Sequence, residues 1–252
     1  MAVIALLSAK GGVGKTTAAV NLAALWAATG HDTLLIDLDP QGAAGHLLKI
    51  HASGTMKAKR FWSGRADAEA QVRASDFDRL DVLPADDSLR RAEAVLEDLG
   101  KSRRRLADLL AKLSGWSRIV IDCPPGLGLI AENAIRAADL ALVPVAPSAL
   151  AVRVLEPLSD LAGDRNGKLR PFVSMLRGNS NFLDELRLAH PATLSATIPS
   201  AAVAEAAARS RLPVVAHAPR SPLARAYRAL LAESEALLTA EGTAVVQNGG
   251  AP

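Results

Sequence analysis

Several short runs in this chain are apolar at nearly every position rather than at every second one. Ala2–Ser8, Thr33–Asp37, Leu80–Leu83, Arg118–Asp122 and Leu140–Val145 all read this way. A strand with one wet face alternates; a strand without alternation needs cover on both faces, as a parallel sheet between helical layers supplies. Pro171–Ser174 and Ala196–Ile198 are weaker runs of the same kind. Between them lie segments with helical apolar spacing: Thr16–Thr29, closed by Gly30, then Ser88–Leu99, Arg103–Ser114, Leu129–Ala138, Ala149–Ala162, Phe182–His190 and Val203–Arg211. The last helix, Pro222–Glu241, sets Leu223, Tyr227, Leu230, Leu231, Leu237 and Leu238 on one stripe. The alternation predicts an α/β fold: a doubly wound, mostly parallel sheet with helices on both faces. One domain is expected over residues 1–241, with 242–252 a frayed tail. The 42 residues between Asp37 and Leu80 are the least regular, basic around Lys57–Arg65, and are expected to form a loop carrying a helix.

Half of the 252 residues are hydrophobic and only 3% are aromatic, so the core is expected to be aliphatic, and whole-chain disorder is excluded. One cysteine, Cys123, excludes an internal disulfide framework and fits a reducing compartment. It reads as a small core residue. The apolar start Met1–Ala9 has no basic segment before it and runs into glycines and Lys15, so it is not read as a signal peptide. The stretches free of charge, Thr16–Gly30 and Leu140–Val152, are too short to span a membrane. The net charge of +3 does not by itself mark a nucleic-acid binder, although it leaves a polyanion partner open.

The first strand leads into Ser8-Ala9-Lys10-Gly11-Gly12-Val13-Gly14-Lys15-Thr16-Thr17 and then directly into a helix. Glycines let backbone N–H groups turn toward a phosphate, and the helix N-terminus adds partial positive charge. Lys15 is placed to reach the β- and γ-phosphates, and the Thr16 hydroxyl to ligate Mg²⁺. The strict phosphate-loop pattern has glycine where this chain has Ala9. Two further strands end in carboxylates, at Asp37-Leu38-Asp39-Pro40-Gln41-Gly42 and at Asp122-Cys123-Pro124-Pro125-Gly126. A lone aspartate after a strand is usually a turn former. Three charged motifs at three strand ends in one chain point instead to convergence outside the carboxyl edge of the sheet, where doubly wound folds bind ligands.

Together these three blocks resemble the ParA/MinD family of deviant Walker ATPases, with the closest likeness to ParA partition proteins. The likeness continues through Val82-Leu83-Pro84-Ala85, Val143-Pro144-Val145 and Ala218-Pro219-Arg220-Ser221. The resemblance implies a P-loop NTPase that binds Mg-ATP through Lys10, Gly11, Gly12, Val13, Gly14, Lys15, Thr16 and Thr17. It implies an ATP-dependent sandwich homodimer that binds non-specific double-stranded DNA. A ParB-like or other cargo adaptor would stimulate hydrolysis and release the DNA, so that a plasmid, chromosome or protein cargo is positioned. Lys10 resembles the signature lysine that crosses the dimer to the partner's phosphates. Asp39 resembles the aspartate that orients the attacking water, and Asp37 and Asp122 the carboxylates that stand behind a Thr16-bound Mg²⁺. Cytoplasmic, nucleoid-associated localisation follows from the same likeness. The chain starts at its first strand, so the N-terminal helix-turn-helix of longer members is not expected, nor is operator-specific repression. Ser174–Asn181 does not match the family's usual run, and Pro199 with the loop after it is the expected adenine contact.

Between Val203 and Arg228, five arginines (Arg209, Arg211, Arg220, Arg225 and Arg228) face one acid, Glu205. This local excess, with the family's use of basic C-terminal residues, marks them as the expected DNA surface, against a rival run at Arg103–Arg105. A charge run is otherwise usually a solvated face. Three other functions compete. A MinD-like membrane switch needs a basic amphipathic C-terminal helix, whereas Thr243–Pro252 has neither charge nor aromatic residue, so no membrane partner is expected. A regulatory ATPase of a secretion or cellulose-synthesis operon shares the motifs, and a metabolic kinase shares the fold class.

Overall fold

The computed structural model describes residues 1–51, 57–65, 68–100, 103–148, 151, 153, 155–178 and 181–248. Its strands are β1 (Ala2–Leu6), β2 (Thr33–Asp37), β3 (Arg73–Ala74), β4 (Leu80–Leu83), β5 (Arg118–Asp122), β6 (Leu140–Val145), β7 (Leu169–Leu176) and β8 (Thr197–Pro199). They form one sheet in the order β3-β4-β2-β5-β1-β6-β7-β8. Every pairing is parallel except β3 with β4, an antiparallel edge. The helices are α1 (Lys15–Ala28), α2 (Ala43–Leu47), α3 (Ala58–Trp62), α4 (Ala92–Asp98), α5 (Arg105–Leu110), α6 (Leu129–Ala137), α7 (Glu156–Ala162), α8 (Phe182–Ala189), α9 (Ala202–Arg209), α10 (Val214–His217) and α11 (Pro222–Asn248).

The lack of alternation in the strands has the cause expected of it. Val3, Ala5 and Leu7, Leu34 and Ile36, and Ile119 and Ile121 belong to one buried cluster, with side chains of α3 to α8. Ile4 and Leu6, Leu35, and Val120 belong to a second, with α1, α2, α9, α10 and α11. Successive side chains enter opposite layers, so every strand position is apolar. Helix α1 is buried almost all round, from Ala18 to Ala27, because it lies between the sheet and a second layer containing α11. Trp26 at its end is fully buried, donates its Nε1–H to Glu235 Oε1 at 3.0 Å, and carries the Arg118 guanidinium 5.7 Å from its ring centre. Those contacts tie α1 to α11 and to the start of β5.

Several boundaries differ from those read in the sequence. The irregular stretch after Asp37 holds two short helices, α2 and α3, and the edge strand β3, too short for any periodicity to reveal. Ser88–Leu99 divides into a 3₁₀ turn at Asp87–Arg91, capped by the Asp86 carboxylate accepting from Ser88 N–H at 2.7 Å, followed by α4. In the Ala149–Ala162 segment the helix starts at Glu156; Ala149, Leu150, Val152 and Val154 lie outside the described residues. Helix α11 runs on to Asn248, past Glu241, because residues 239–248 contain no proline and only one glycine to stop it. Residues 249–252 of the expected tail lie outside the described residues.

Trp26→Ala is expected to cost about 3–5 kcal/mol, since it empties the α1–α11 contact and orphans Glu235. Urea unfolding followed by the fluorescence of Trp62 and Trp116 measures this; a loss under about 1 kcal/mol would show that α1 does not depend on the contact.

Candidate nucleotide site

β1 stops at Leu6, and the chain from Leu7 to Gly14 folds over its carboxyl end before α1 starts. Gly12 and Gly14 have φ of 74° and 90°, in the left-handed region where a Cβ is penalised. Ala9 is not among the residues of positive φ, so its methyl group is tolerated where the strict pattern has glycine. Among the described residues, the N–H groups of Gly11, Gly12, Val13 and Gly14 have no acceptor. With the free N–H groups of the first turn of α1 they form an array of donors at the positive end of a 14-residue helix. Such an array is an anion site. Lys15 is only 6% exposed; burial lowers its pKa, and the charges of Asp122 and Asp39 oppose the shift only in part.

The parallel register places Asp37 beside Asp122 at the ends of β2 and β5, both fully buried. Asp37 Oδ1 accepts from Asp39 N–H at 3.0 Å, and Oδ2 from Ala44 N–H at 3.1 Å and Gly45 N–H at 3.4 Å. Burial still raises its pKa, and the Asp39 charge adds to the rise. Burial and then the charge of Asp37 push Asp122 well above the usual carboxylate range, against the pull of the Thr16 hydroxyl and the Lys15 ammonium. Neither oxygen of Asp122 makes a hydrogen bond of good geometry. A buried carboxylate in that condition is costly unless a cation or an ordered donor completes it. Among the described residues no three His, Cys, Asp or Glu side chains stand close enough to hold a metal by themselves. What the chain offers Mg²⁺ is therefore a hydroxyl, Thr16, with carboxylates behind it. That donor set fits a hard cation that keeps several waters and takes oxygens from phosphate.

Beside these groups lies a cleft of about 570 Å³. Gly11, Gly12, Gly14, Lys15, Thr16, Thr17, Asp39 and Pro125 line it, together with Met175, Arg177, Pro199, Glu205, Leu223 and Tyr227. Val13 is buried behind the loop. Pro199, at the end of β8, does reach the cleft. The segment beginning at Ser174, which the sequence comparison set aside, also reaches it through Ser174, Met175 and Arg177. Asn179 and Ser180 lie outside the described residues. Ser174 follows an apolar run at the carboxyl end of a strand, the placement that singled out Asp37 and Asp122. Lys10 is exposed, and its ammonium has no partner among the described residues.

The arginines separate into two groups. Arg209 and Arg220 are exposed and their guanidinium groups are uncommitted. Arg211, at φ 53°, donates Nε–H to the His46 carbonyl at 2.8 Å. Arg225 donates to the Arg220 carbonyl at 2.7 Å and Arg228 to the Pro219 carbonyl at 2.8 Å, so both brace the turn into α11. In the rival run, Arg103 pairs with Glu132 at 2.9 Å, and Arg105 donates to the Leu99 carbonyl at 2.9 Å. Among the described residues, Arg104 is the one arginine of that run without a partner.

An AAA-domain family model matches residues 1–170, two thirds of the chain. The chain belongs to that family. The chromosome partitioning protein ParA of Myxococcus xanthus is 41% identical over 147 residues, which make up 57% of this chain and 51% of that protein. The chain thus spans about half the length of that relative. In fold, the AAA-domain chain is similar to apo McdA from Cyanothece (TM-score 0.80, 21% identity, 94% of this chain and 99% of the other). It is similar as well to the septum site-determining protein MinD of Pyrococcus horikoshii, solved with Mg-ADP (TM-score 0.78, 22% identity, 94% and 97%). The family match takes in the phosphate loop, Asp37, Asp39 and Asp122; Pro199 and the C-terminal arginines of this AAA-domain chain lie beyond it. Among the described residues, no helix is long and apolar enough to cross a membrane.

Replacing Lys15 by Gln should separate two effects. Nucleotide affinity is expected to fall about a hundredfold, since a charged hydrogen bond to phosphate is lost in a dry site. The nucleotide-free protein should be no less stable, because the buried ammonium is poorly compensated there. Titration with a fluorescent ATP analogue and a thermal melt check both halves. Undiminished affinity would sink the nucleotide assignment.

Proposed function

We propose that the chain is a ParA-type ATPase that binds Mg-ATP, pairs with a second copy across the bound nucleotide, and in that state holds DNA without sequence preference. The observation that carries the reading is the phosphate loop itself: a run of unpaired N–H groups and a buried Lys15 at one cleft, with the incompletely bonded Asp122 buried behind Lys15 and Thr16. Hydrolysis joins a water oxygen to the γ-phosphorus and breaks its bond to the β–γ bridging oxygen, leaving ADP, phosphate and a proton. Mg²⁺ would supply positive charge to the phosphates; Thr16 would hold it through its hydroxyl, with the carboxylates of Asp37 and Asp122 behind. Asp39 lies in the cleft with Oδ1 held by Gln41 N–H at 2.9 Å, which leaves Oδ2 to orient the attacking water. Lys15 holds the β- and γ-phosphates. Met175, Pro199, Leu223 and Tyr227 take the base. Lys10, exposed and unpartnered, is the residue placed to reach the phosphates of the second copy.

Lys10→Ala is expected to keep monomeric ATP binding but lose ATP-dependent dimerisation in light scattering. Asp39→Ala is expected to keep both and to lose phosphate release by about a hundredfold or more, leaving a trapped dimer. A Lys10→Ala protein that still dimerises with ATP contradicts the cross-dimer role, and wild-type turnover in Asp39→Ala contradicts the water-orienting one. The trapped protein is also the bait for the adaptor that stimulates hydrolysis, whose cargo we infer to be a plasmid, a chromosome or a protein assembly on the nucleoid.

For DNA, the free guanidinium groups of Arg209 and Arg220 support a contact surface next to the turn into α11. Reversing both to Glu should weaken gel-shift affinity for any duplex while leaving ATP-driven dimerisation intact. Each lost phosphate contact should flatten the log–log salt slope by roughly 0.9. Arg211 is a poorer test, because its removal also releases the His46 carbonyl. Unchanged affinity in this double variant, with loss on reversal of Arg104, would move the DNA to the other face.

A further inference from the structure

β7 does not run straight into the cleft. Its pairing with β8 slips between Val173 and Leu176, a bulge, and Met175 within it takes φ 56°, a left-handed conformation in a residue with a long side chain. Bulges beside binding sites re-aim side chains, and such backbone persists only where surrounding contacts hold it. Here the bulge turns Ser174 inward, 3% exposed, so that its Oγ–H donates to the carbonyl of Val13 at 2.8 Å, across 161 residues of sequence. The next residue, Met175, lines the same cleft. Contact at the loop is close: a Cβ on Gly14 would meet Ser174 Oγ at 3.2 Å.

The peptide between Val13 and Gly14 is one planar unit with its C=O and N–H pointing opposite ways. A bond that holds the Val13 carbonyl on the β7 side therefore turns the Gly14 N–H away from β7, and that N–H is one of the four without an acceptor. We infer that Ser174 is a positioning residue for the phosphate loop: its bond to Val13, made possible by the bulge, presets the Gly14 N–H for phosphate. The inference rests on the nucleotide reading above. No motif within the loop encodes it, because the group that sets the loop comes from a strand 161 residues away.

The test compares wild type, Ser174→Ala, Ser174→Thr and Ser174→Cys in two titrations, with a fluorescent Mg-ATP analogue and with inorganic triphosphate competing against it. The thermal midpoint of each nucleotide-free protein is measured alongside. Ser174→Ala is expected to weaken both ligands by the same factor, about three- to tenfold, as for one lost hydrogen bond. Ser174→Thr should restore affinity and Ser174→Cys, a weak donor, should fall between. Equal loss for triphosphate locates the effect at the phosphate loop, which a role confined to folding or to the base would not do. Wild-type triphosphate affinity in Ser174→Ala, or a loss that Thr does not rescue, overturns the inference. So does a loss for the ATP analogue alone. If Ser174→Ala does not fold, the Thr and Cys variants carry the same comparison. Failure of the wild-type protein to bind either ligand overturns the nucleotide reading itself, which distinguishes the two outcomes.

Discussion

The register between β2 and β5 is the constraint on which the rest of the site depends. It sets Asp37 directly beside Asp122 at the carboxyl edge, both out of solvent, one satisfied by three backbone N–H groups and the other by none. Burial raises the proton affinity of both carboxylates, the Asp37 charge raises that of Asp122 further, and burial lowers that of Lys15 although Asp122 and Asp39 pull the other way. Slipping either strand by one residue would send its carboxylate to the opposite face of the sheet, away from the other. The hydrophobic packing on both faces of the sheet is thus what holds the polar groups in place.

Helix α11 joins the distant parts of the site. Leu223 and Tyr227 line the cleft from one of its faces, while on the other Arg225 and Arg228 close the turn at Pro219 and Arg220. Further along, Glu235 accepts from Trp26 at the end of α1, the helix whose first turn underlies the phosphate loop. The base end, the loop and the outer arginines therefore share one rigid support. The loop after Asp122 is held in a comparable way. It ends at α6, whose Leu129 and Ile130 N–H groups are capped by Glu93 of α4 at 2.8 and 3.1 Å. A Cβ on Gly128 would lie 2.5 Å from that carboxylate, so any larger residue there would push the Glu93 cap aside.

Much of this was legible in the sequence, for local reasons. The strands announced themselves by lacking alternation. Gly12, Gly14 and Lys15 were readable because a phosphate loop is built from consecutive residues, and Asp37 and Asp122 because each directly ends an apolar run. The stretch after Asp37 was expected to carry one helix, and it holds two, α2 and α3; the second helix and the two-residue β3 are too short and too mixed in composition to show a period. The end of α11 was placed too early because the leucine stripe fades before the helix does.

By itself, then, the sequence determined the layered α/β architecture, the phosphate loop and the carboxylates at the strand ends, all matters of neighbouring residues and short spacing. Tertiary structure alone decided that Ser174 would bond to Val13, that Met175 and Arg177 would share a cleft with Lys15, and that Arg211 would bind the His46 carbonyl while Arg209 stayed free. It also decided that Arg103 and Arg105 would be spent on Glu132 and Leu99. The physical reason is the same in each case: a side chain's partner across a long stretch of chain depends on strand order, a bulge or a helix's rotation. Those are settled only when the two apolar layers close on the sheet.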